Sequence, residues 1–386
     1  IARRQRQMCI RDRPKGMIIR KELENFWYQE HTKEGYEFIK TPIMLNKELW
    51  ELSGHWYNYR ENMYTSEIDD KTFAIKPMNC PGGMLVYKNS LHSYKGLPLR
   101  IGELGQVHRH EASGALNGLF RVRTFTQDDA HIFMREDQIE EEVIRLINFI
   151  DRMYAVFNLS YDIELSTRPE EKYIGDLNIW NKSEKALEDA CHKAGHDCKI
   201  NPGDGAFYGP KLDFHIRDSL GRVWQCGTIQ LDMNLPERFD LTYVDKDGSK
   251  KRPVMLHRVI YGSIERFIGI LIEHYAGAFP LWLSPVQINV IPVNNEYHLE
   301  YANKVVEELR DKGFRVELDA REEKMGYKIR ESQAQKIPLT LIIGDQEKND
   351  NTVSYRKFGS QTTITKKIFE FISELDDCLK FKKNNL

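Results

Sequence analysis

The sequence has no long uninterrupted apolar stretch, few cysteines and almost no net charge. Its longest apolar runs, such as residues 267–272, fall well short of the ~20 residues that a membrane-spanning helix needs. Six cysteines in 386 residues are too sparse for a disulfide-stabilised secreted scaffold. An early apolar segment of the secretory type is also missing. These absences predict a soluble protein that is located in the cytoplasm, a reducing compartment.

The charge balance excludes a protein that coats nucleic acid with a uniformly basic surface. Lys and Arg number 56 and Asp and Glu number 58, so the formal net charge is −2. Any contact with RNA must therefore come from a local surface. A hydrophobic fraction of 41% is sufficient for more than one core, and the length exceeds that of an ordinary single domain.

The chain divides into three parts of different character. Residues 1–13 are rich in arginine; they could be part of an organellar transit peptide, although a foreign flank is the simpler interpretation. Residues 14–284 predict runs of strands with occasional helices, which is typical of an antiparallel α+β domain. Residues 285–386 predict a compact α/β unit in which strands and helices alternate. We therefore expect a domain boundary near Pro285.

Three short motifs follow one another in the first domain. The first is a predicted strand over residues 35–44, and its Pro42 suits an edge or interface position. The second joins HRHE at residues 108–111 to RVRTFTQDD at residues 121–129 through a glycine-containing loop. The third is GSIER at residues 262–266, which opens an apolar helix. Each motif alone is weak evidence, but the three in this order are specific.

Together these motifs resemble the signature set of class II aminoacyl-tRNA synthetases, and residues outside them resemble the threonyl-tRNA synthetases. The resemblance covers residues 14–379. It implies ATP-dependent activation of L-threonine to threonyl-adenylate and transfer to the 3′-terminal adenosine of threonine tRNA. It also implies a homodimer whose interface includes the first helix and the strand around Pro42. The implied partners are threonine, ATP and threonine tRNA.

The resemblance assigns one set of residues to ATP. Amino-acid activation is attack of a carboxylate on the α-phosphorus, where charge builds on phosphate oxygens and fixed cations are needed. Planar guanidinium groups hold phosphates in bidentate geometry. By resemblance, Arg109 contacts the α-phosphate and the substrate carboxylate, while Arg121 and Arg266 hold the β- and γ-phosphates with Mg²⁺. The other ATP-binding residues that the family implies are Glu111, Phe125, Gln225 and Thr228.

A zinc ion held by Cys80, His131 and His257 is also implied by the resemblance. One cysteine and two histidines leave an open coordination position, as catalytic zinc sites do. The spacing itself indicates nothing, because the three residues are far apart in the sequence. The rival metal site is a local cluster of Cys191, His192, His196 and Cys198. That cluster matches no zinc ligand of the family and therefore lacks supporting context.

The threonine pocket is implied by the same resemblance. Tyr208 and Asp129 would hold the substrate ammonium and hydroxyl groups. The remaining residues of the pocket would be Met78, Arg109, Gln127, Lys211, Gln230 and Ser263. For Gln225 and Ser263 the alternative is an ordinary strand or turn residue whose polar atoms are satisfied locally.

Two further predictions concern the transfer of threonine to tRNA. His55 would accept the proton of the ribose hydroxyl, since a free imidazole titrates near pH 6.5; the alternative is a structural histidine packed between Trp50 and Trp56. Acidic and basic side chains balance in the second domain, so RNA recognition there would need a local surface that binds unpaired bases. The predicted tRNA contacts are Arg321, Lys328, Arg330 and Arg356.

Other functions stay open at this point. Another class IIa synthetase, such as the prolyl enzyme, would have no need of the zinc set. A non-catalytic synthetase-like RNA-binding regulator would have no need of the intact arginine motifs. Nothing in the sequence corresponds to the N-terminal editing region of bacterial-type enzymes, so we expect this chain not to correct mischarging with serine.

Overall fold

The computed structural model describes residues 13–171, 173–218 and 221–384. Most of the expected N-terminal flank, residues 1–12, lies outside the described residues. The described chain forms two compact units, one of residues 27–270 and the other of residues 13–26 together with residues 271–384. Among these residues, no helix is both long enough and apolar enough to cross a membrane.

An antiparallel sheet dominates the first unit. The strands in chain order are β1 (Glu37–Phe38), β2 (Met44–Asn46), β3 (Tyr64–Ile68), β4 (Lys71–Ile75), β5 (Leu99–His108), β6 (Thr124–Met134), β7 (Tyr161–Ser166), β8 (Cys198–Asn201), β9 (Lys211–Arg217), β10 (Val223–Asp232), β11 (Tyr243–Val244), β12 (Lys250–Lys251) and β13 (Val254–Val259). Eight of them form one sheet of order β1-β5-β6-β13-β10-β9-β7-β8. The β1–β5 and β7–β8 pairs at its two edges are parallel and the inner pairs are antiparallel. The expected antiparallel α+β fold is confirmed.

Helices connect most of these strands, and residues 14–26 of the first helix and 271–274 of the last belong to the second unit. In chain order the helices are α1 (Pro14–Lys33), α2 (Lys47–Leu52), α3 (His55–Asn58), α4 (Cys80–Lys88), α5 (Ile139–Ala155), α6 (Leu177–Lys193), α7 (Asn234–Arg238) and α8 (Ile264–His274). Apolar spacing predicted α5 correctly, because Val143, Ile147, Ile150 and Tyr154 recur every three or four residues and are all fully buried. The predicted strand around Pro42 is interrupted there, and β1 and β2 lie on either side of the proline.

The second unit is an α/β domain. Its elements are β14 (Ile288–Pro292), α9 (Asn295–Asp311), β15 (Val316–Leu318), α10 (Met325–Ala334), β16 (Leu339–Ile343), α11 (Asp345–Asp350), β17 (Thr352–Lys357), β18 (Ile364–Lys367) and α12 (Ile368–Lys380). The sheet order is β15-β14-β16-β17-β18. Strand β14 is parallel to both of its neighbours, while β17 and β18 are antiparallel. Fully buried Val290, Val305, Leu341 and Phe371 form part of its core.

Candidate active site

One cavity of about 600 Å³ opens on the large sheet of the first unit. Its walls come from β6, β9, β10 and β13 and from the loops before α4, β6, β9 and α8. The predicted ATP- and threonine-binding residues that line it are Met78, Arg109, Glu111, Arg121, Phe125, Gln127, Asp129, Tyr208, Lys211, Gln225, Thr228, Gln230, Ser263 and Arg266. The structure therefore gathers both predicted sets in a single pocket, and which ligand each residue binds stays a prediction.

Strand β6 brings four of the predicted residues to one face. Phe125, Gln127, Asp129 and His131 occupy alternate positions of the strand, and side chains two residues apart point to the same side of a sheet. The first three line the cavity, whereas His131 is only 2% exposed. The strand thus connects the predicted nucleotide residues to the predicted metal ligand.

A bulge in β10 brings Gln225 to the same side as Thr228 and Gln230. Regular alternation would separate residue 225 from residues 228 and 230, but the pairing of β10 with β9 shifts register between Gln225 and Gly227. Such a bulge inserts one extra residue and re-aims the side chains around it. All three predicted residues consequently line the cavity.

The arginine side chains of the cavity are held mainly by backbone carbonyl groups. Nε of Arg109 donates to the carbonyl of Pro77 at 3.1 Å, and its guanidinium lies 5.1 Å from the ring centre of Phe125. Arg266 donates to the carbonyls of Phe120 at 2.9 Å and Gln225 at 3.0 Å. A neutral carbonyl leaves the guanidinium charge uncompensated, so both arginines can receive an anion.

Arg121 and Arg266 differ in their surroundings. Burial lowers the pKa of Arg266, and the charges of Arg121 and Arg109 lower it further. Arg121 forms an ion pair with Glu111 at 3.0 Å and its side chain is more than half exposed. Repulsion among three cations around one cavity favours a bound polyanion, because the anion would relieve it.

Cys80, His131 and His257 come together as the resemblance implied. Their possible ligand atoms all lie within 4.8 Å of one another. His131 and His257 face each other across the β6–β13 pair, and Nε2 of His131 is buried without a hydrogen-bond partner among the described residues. A thiolate with two imidazoles is a donor set that suits zinc, and the buried Nε2 atom of His131 is available as a ligand. The three residues fit a metal ion.

A buried carboxylate supports this group from β10. Oδ2 of Asp232 lies 2.9 Å from Nε2 of His257, and Asp232 is fully buried. A carboxylate on one ring nitrogen of a metal-binding histidine fixes the tautomer and the orientation of the ring. Sequence reasoning missed Asp232, whose only signal is its position two residues after Gln230 on the same strand.

The rival cluster around α6 does not assemble a metal site. Within residues 13–171, 173–218 and 221–384, the side chains that come close enough to hold a metal ion are those of Cys80, His131 and His257. Nε2 of His196 instead lies 3.0 Å from the carboxylate of Asp151. Cys191 is a buried core residue whose thiol donates to the carbonyl of His196 at 3.6 Å.

Asp213, a second residue that sequence reasoning missed, organises the β9–β10 side of the cavity. It is 2% exposed and accepts hydrogen bonds from Nε2 of Gln225 at 2.5 Å and from Oγ1 of Thr228 at 3.0 Å. Its carboxylate also pairs with Nζ of Lys211 at 2.7 Å. One carboxylate thus holds three predicted site residues. The sequence feature that could have indicated Asp213 is its position two residues after Lys211, on the same face of β9.

The predicted threonine pocket has an internally bonded polar lining. The hydroxyl of Tyr208 donates to Oε1 of Gln230 at 3.1 Å, and Nδ2 of Asn79 donates to Oδ2 of Asp129 at 3.1 Å. Gln230 and Asp129 are each 7% exposed. These mostly buried groups present acceptors and donors to a small polar ligand.

His55 lies beside the pocket and is fully buried. Its Nδ1 is 2.8 Å from Oγ of Ser53 and its Nε2 is 3.1 Å from Sδ of Met78. Trp50 packs edge-on against the imidazole with ring centres 5.9 Å apart. The ring of Trp56 lies instead under the guanidinium of Arg60, at 3.8 Å. The environment is therefore consistent with a packing role and also places the ring next to a cavity residue.

The four residues predicted to contact tRNA do not share one environment. Arg321 pairs with Asp319 and Glu331 at 2.7 and 2.6 Å. Lys328 is 3% exposed and donates to the carbonyl of Asp319 at 3.1 Å. Because this ammonium group points into the domain, the structure does not place it on an RNA-binding surface. Arg330 is exposed and Arg356 is half-buried.

Two families match the chain in the order in which the units occur. Residues 64–275 match the tRNA synthetase class II core domain (G, H, P, S and T), and residues 287–377 match the anticodon binding domain. The antiparallel sheet and its arginine-lined cavity are thus those of a class II aminoacyl-tRNA synthetase core.

Individual relatives show which family within class II the chain resembles. A threonine-tRNA ligase of Fusobacterium nucleatum is 61% identical over 374 residues, which are 96% of this chain and 60% of that protein. The RNA binding domain of threonyl-tRNA synthetase from Cryptosporidium parvum superposes with a TM-score of 0.91 at 41% identity, over 95% of this chain and 92% of that one. The chain belongs to the threonyl-tRNA synthetase family, and it spans about three fifths of the length of the curated relatives that it matches.

The prolyl alternative receives support at the level of the fold alone. A prolyl-tRNA synthetase of Giardia lamblia superposes with a TM-score of 0.75, over 96% of this chain and 74% of that one, but at only 18% identity. The alternative is therefore not favoured.

Proposed function

We propose that this chain activates L-threonine with ATP to threonyl-adenylate and transfers the threonyl group to the 3′-terminal adenosine of threonine tRNA. One observation carries the proposal: a single cavity combines uncompensated arginines with a buried Cys-His-His group. The arginines suit a triphosphate, and the metal-binding group suits a small substrate with a ligating hydroxyl.

In the first step the threonine carboxylate attacks the α-phosphorus of ATP, and pyrophosphate leaves. Arg109 would hold the carboxylate and the α-phosphate together, which fixes the attack geometry and offsets the charge of the transition state. Arg266, at the first turn of α8, and Arg121 would hold the outer phosphates, with Mg²⁺ bound to the nucleotide. Glu111 and Phe125 would bind the adenine, beside Gln225 and Thr228.

The amino-acid end of the cavity would select threonine. Asp129 would accept the substrate ammonium group, and Tyr208 and Gln230 would complete a polar pocket around the hydroxyl. A zinc ion held by Cys80, His131 and His257 would supply a Lewis-acidic position for amino and hydroxyl ligands. Asp232 would keep the ring of His257 in one orientation.

We further propose that tRNA binds at the carboxyl edge of β14 and β15. Tyr297 and Tyr327 lie in the first turns of α9 and α10, which follow these strands, and they are 57% and 45% exposed. Ligands of α/β sheets bind at this edge, and exposed aromatic rings stack on unpaired bases. Arg321 follows β15 at the same edge.

A homodimer and a cytoplasmic location belong to the same proposal. Phe38, Ile43 and Met44 flank Pro42 and are each about two fifths exposed; neighbouring exposed apolar side chains are typical of an interface. A reducing compartment such as the cytoplasm would keep Cys80 as the free thiol that the structure shows.

The decisive experiment combines two measurements on the purified chain. Pyrophosphate exchange should depend on threonine and not on proline, and metal analysis should find one zinc per chain. Exchange that depends on proline, in a protein without zinc, would establish the prolyl alternative. No exchange with any amino acid, in a folded protein that binds RNA, would support a non-catalytic regulator.

A further inference from the structure

A buried carboxylate bonds the turn before α8 to strand β6. Oδ2 of Asp128 accepts the backbone N–H groups of Ile260 at 2.9 Å and Tyr261 at 3.0 Å. Oδ1 of the same side chain accepts the N–H of Gly262 at 2.8 Å. Three successive amide groups therefore converge on one carboxylate, and the conformation of residues 260–262 depends on it.

A second carboxylate makes the reverse connection. Oε2 of Glu265, in the first turn of α8, accepts the backbone N–H of Thr126 on β6 at 2.9 Å. The same oxygen accepts the hydroxyl of Ser263 at 3.1 Å. Each segment thus supplies a carboxylate to the backbone of the other. We refer to Asp128 and Glu265 as the carboxylate clamp.

The clamp joins parts of the cavity that serve different substrates in the proposed function. Asp128 lies between Gln127 and Asp129, which line the threonine end, and alternation along β6 turns its own side chain to the opposite face. The turn leads directly into Ser263 and Arg266. An isolated antiparallel β-bridge between Gln127 and Ser263 also links β6 to the turn.

The clamp holds a demanding turn with a group that is costly to bury. Asp128 is fully buried, and burial raises the pKa of its carboxyl group to about 6 although Arg258 and the three amide groups oppose this shift. A buried ionised group is costly, and the three N–H groups that donate to it offset part of that cost. The turn is also conformationally demanding, because Gly262 has φ +77° and a Cβ there would lie 2.6 Å from the carbonyl oxygen of Cys226.

We propose that Asp128 is a positioning residue that sets the turn of residues 260–262 so that Arg266 meets the ATP phosphates. The inference deepens the proposed function and rests on it. Asp128 touches neither substrate; it acts through the turn, while its neighbour Asp129 serves threonine. Loosening the turn should therefore weaken the use of ATP much more than the binding of threonine, because Ser263 is one of several predicted threonine contacts whereas Arg266 is a main predicted phosphate contact.

The test is Asp128→Asn, assayed by pyrophosphate exchange with ATP and threonine varied separately. The amide keeps one acceptor oxygen but presents an NH₂ group to an N–H donor, so the turn loses part of its anchoring. We expect the KM for ATP to rise ~10-fold with a lower kcat, on the scale of a lost hydrogen bond to a charged group. The KM for threonine should stay within ~2-fold and the zinc content should not change.

Glu142→Gln is the matched control. Glu142 is also a buried carboxylate, bonded to Arg100, and it does not line the cavity. Its loss should lower the melting temperature while both KM values stay at the wild-type level. If Asp128→Asn changes both KM values equally, or behaves like Glu142→Gln, the positioning role is wrong.

Two further results separate the possible failures. If Asp128→Asn does not fold, Glu265→Gln carries the test: it should raise the KM for ATP selectively by a few-fold, and a wild-type KM for ATP would overturn the clamp. If the wild-type chain itself shows no threonine-dependent exchange, the proposed function fails before the clamp is at issue.

Discussion

The Nε2 atom of His55 lies 3.7 Å from the Sγ atom of Cys80. Burial and the neighbouring charge of His257 lower the pKa of His55 to about 4, so the imidazole is neutral at physiological pH. Burial likewise raises the pKa of the Cys80 thiol well above its ordinary value. The predicted base of the transfer step and a predicted metal ligand are therefore direct neighbours.

His55→Ala should slow tRNA charging by ~10²-fold, the scale of a lost general base, and pyrophosphate exchange much less. The physical reason is that only the transfer step removes a proton from a ribose hydroxyl. Single-turnover transfer from preformed adenylate measures the step directly. Equal slowing of exchange and charging would show that the imidazole serves mainly to pack against Trp50 and Met78.

Arg109→Ala should reduce threonine-dependent exchange by at least ~10²-fold, the effect of losing one preorganised charge partner. Its guanidinium is held against Phe125 by the carbonyl of Pro77, so the charge is fixed in place before substrates bind. Arg330→Ala, at an exposed position of the second unit, is the control and should leave exchange unchanged. Near-normal exchange in Arg109→Ala would remove Arg109 from the site.

Cys80→Ser should lower zinc content and threonine activation together, because a hydroxyl is a far poorer zinc ligand than a thiolate. Metal analysis of the purified variant, alongside exchange kinetics, measures both. Cys191→Ser replaces another buried cysteine, outside the metal-binding group, and should retain zinc. Full exchange activity in a zinc-free protein would contradict the proposed selection of threonine.

Serine should support measurable exchange, whereas valine should support almost none. Valine lacks the hydroxyl group that Tyr208, Gln230 and a zinc ion would engage, and sites built for a hydroxyl reject its absence by ~10⁴-fold or more. Serine lacks only a methyl group, worth ~1 to 3 kcal/mol. The ratio of kcat/KM for the three amino acids checks both statements. Comparable use of valine and threonine would indicate an apolar pocket instead.

His31→Phe should flatten the acid limb of the stability curve. Burial and the charge of Arg258 hold the pKa of His31 well below its ordinary value of 6.5, so the unfolded chain binds the proton more tightly. Stability is fully present above pH 6.5 and is lost as the pH falls below it, by up to ~1.4 kcal/mol per pH unit for this group. Urea unfolding at pH 7.5, 6 and 5 measures the slope.

The exposed His192, whose side chain is 51% exposed, provides the control. His192→Gln should leave the wild-type slope unchanged, since the substitution alters no buried group. His31→Phe should lower the slope by one proton, and the buried His55 and His131 should account for part of what remains. An unaltered slope in His31→Phe would show that this histidine is not linked to folding.

The resemblance to the synthetases made much of the site predictable, and the alternation of one strand agrees with it. Alternation along β6 carries Phe125, Gln127 and Asp129 to one face, and a single sequence contains that pattern. The bulge that brings Gln225 beside Thr228 is not predictable, because it depends on how β10 pairs with β9. Position on a strand predicts a face of the sheet but not a break in register.

The buried carboxylates and Lys328 show a second limit. Asp128, Asp213 and Asp232 are residues of a kind usually found at the surface, and each is buried with partners that include residues from another segment of the chain. For Lys328 the sequence predicted an exposed RNA contact, but the residue is buried. Its ammonium group donates to the carbonyl of Asp319 inside the domain. Long-range partners decide such cases, and motif resemblance does not report them.

The place of β13 in the sheet has a consequence for biosynthesis. It lies between β6 and β10 although it is the last of the eight strands to be translated. Until residues 254–259 leave the ribosome, β6 and β10 each have an unpaired edge, and open edges promote aggregation. The strand that supplies His257 also joins the two halves of the sheet. A nascent chain therefore completes its sheet and its metal-binding group at the same time, when β13 pairs with β6 and β10.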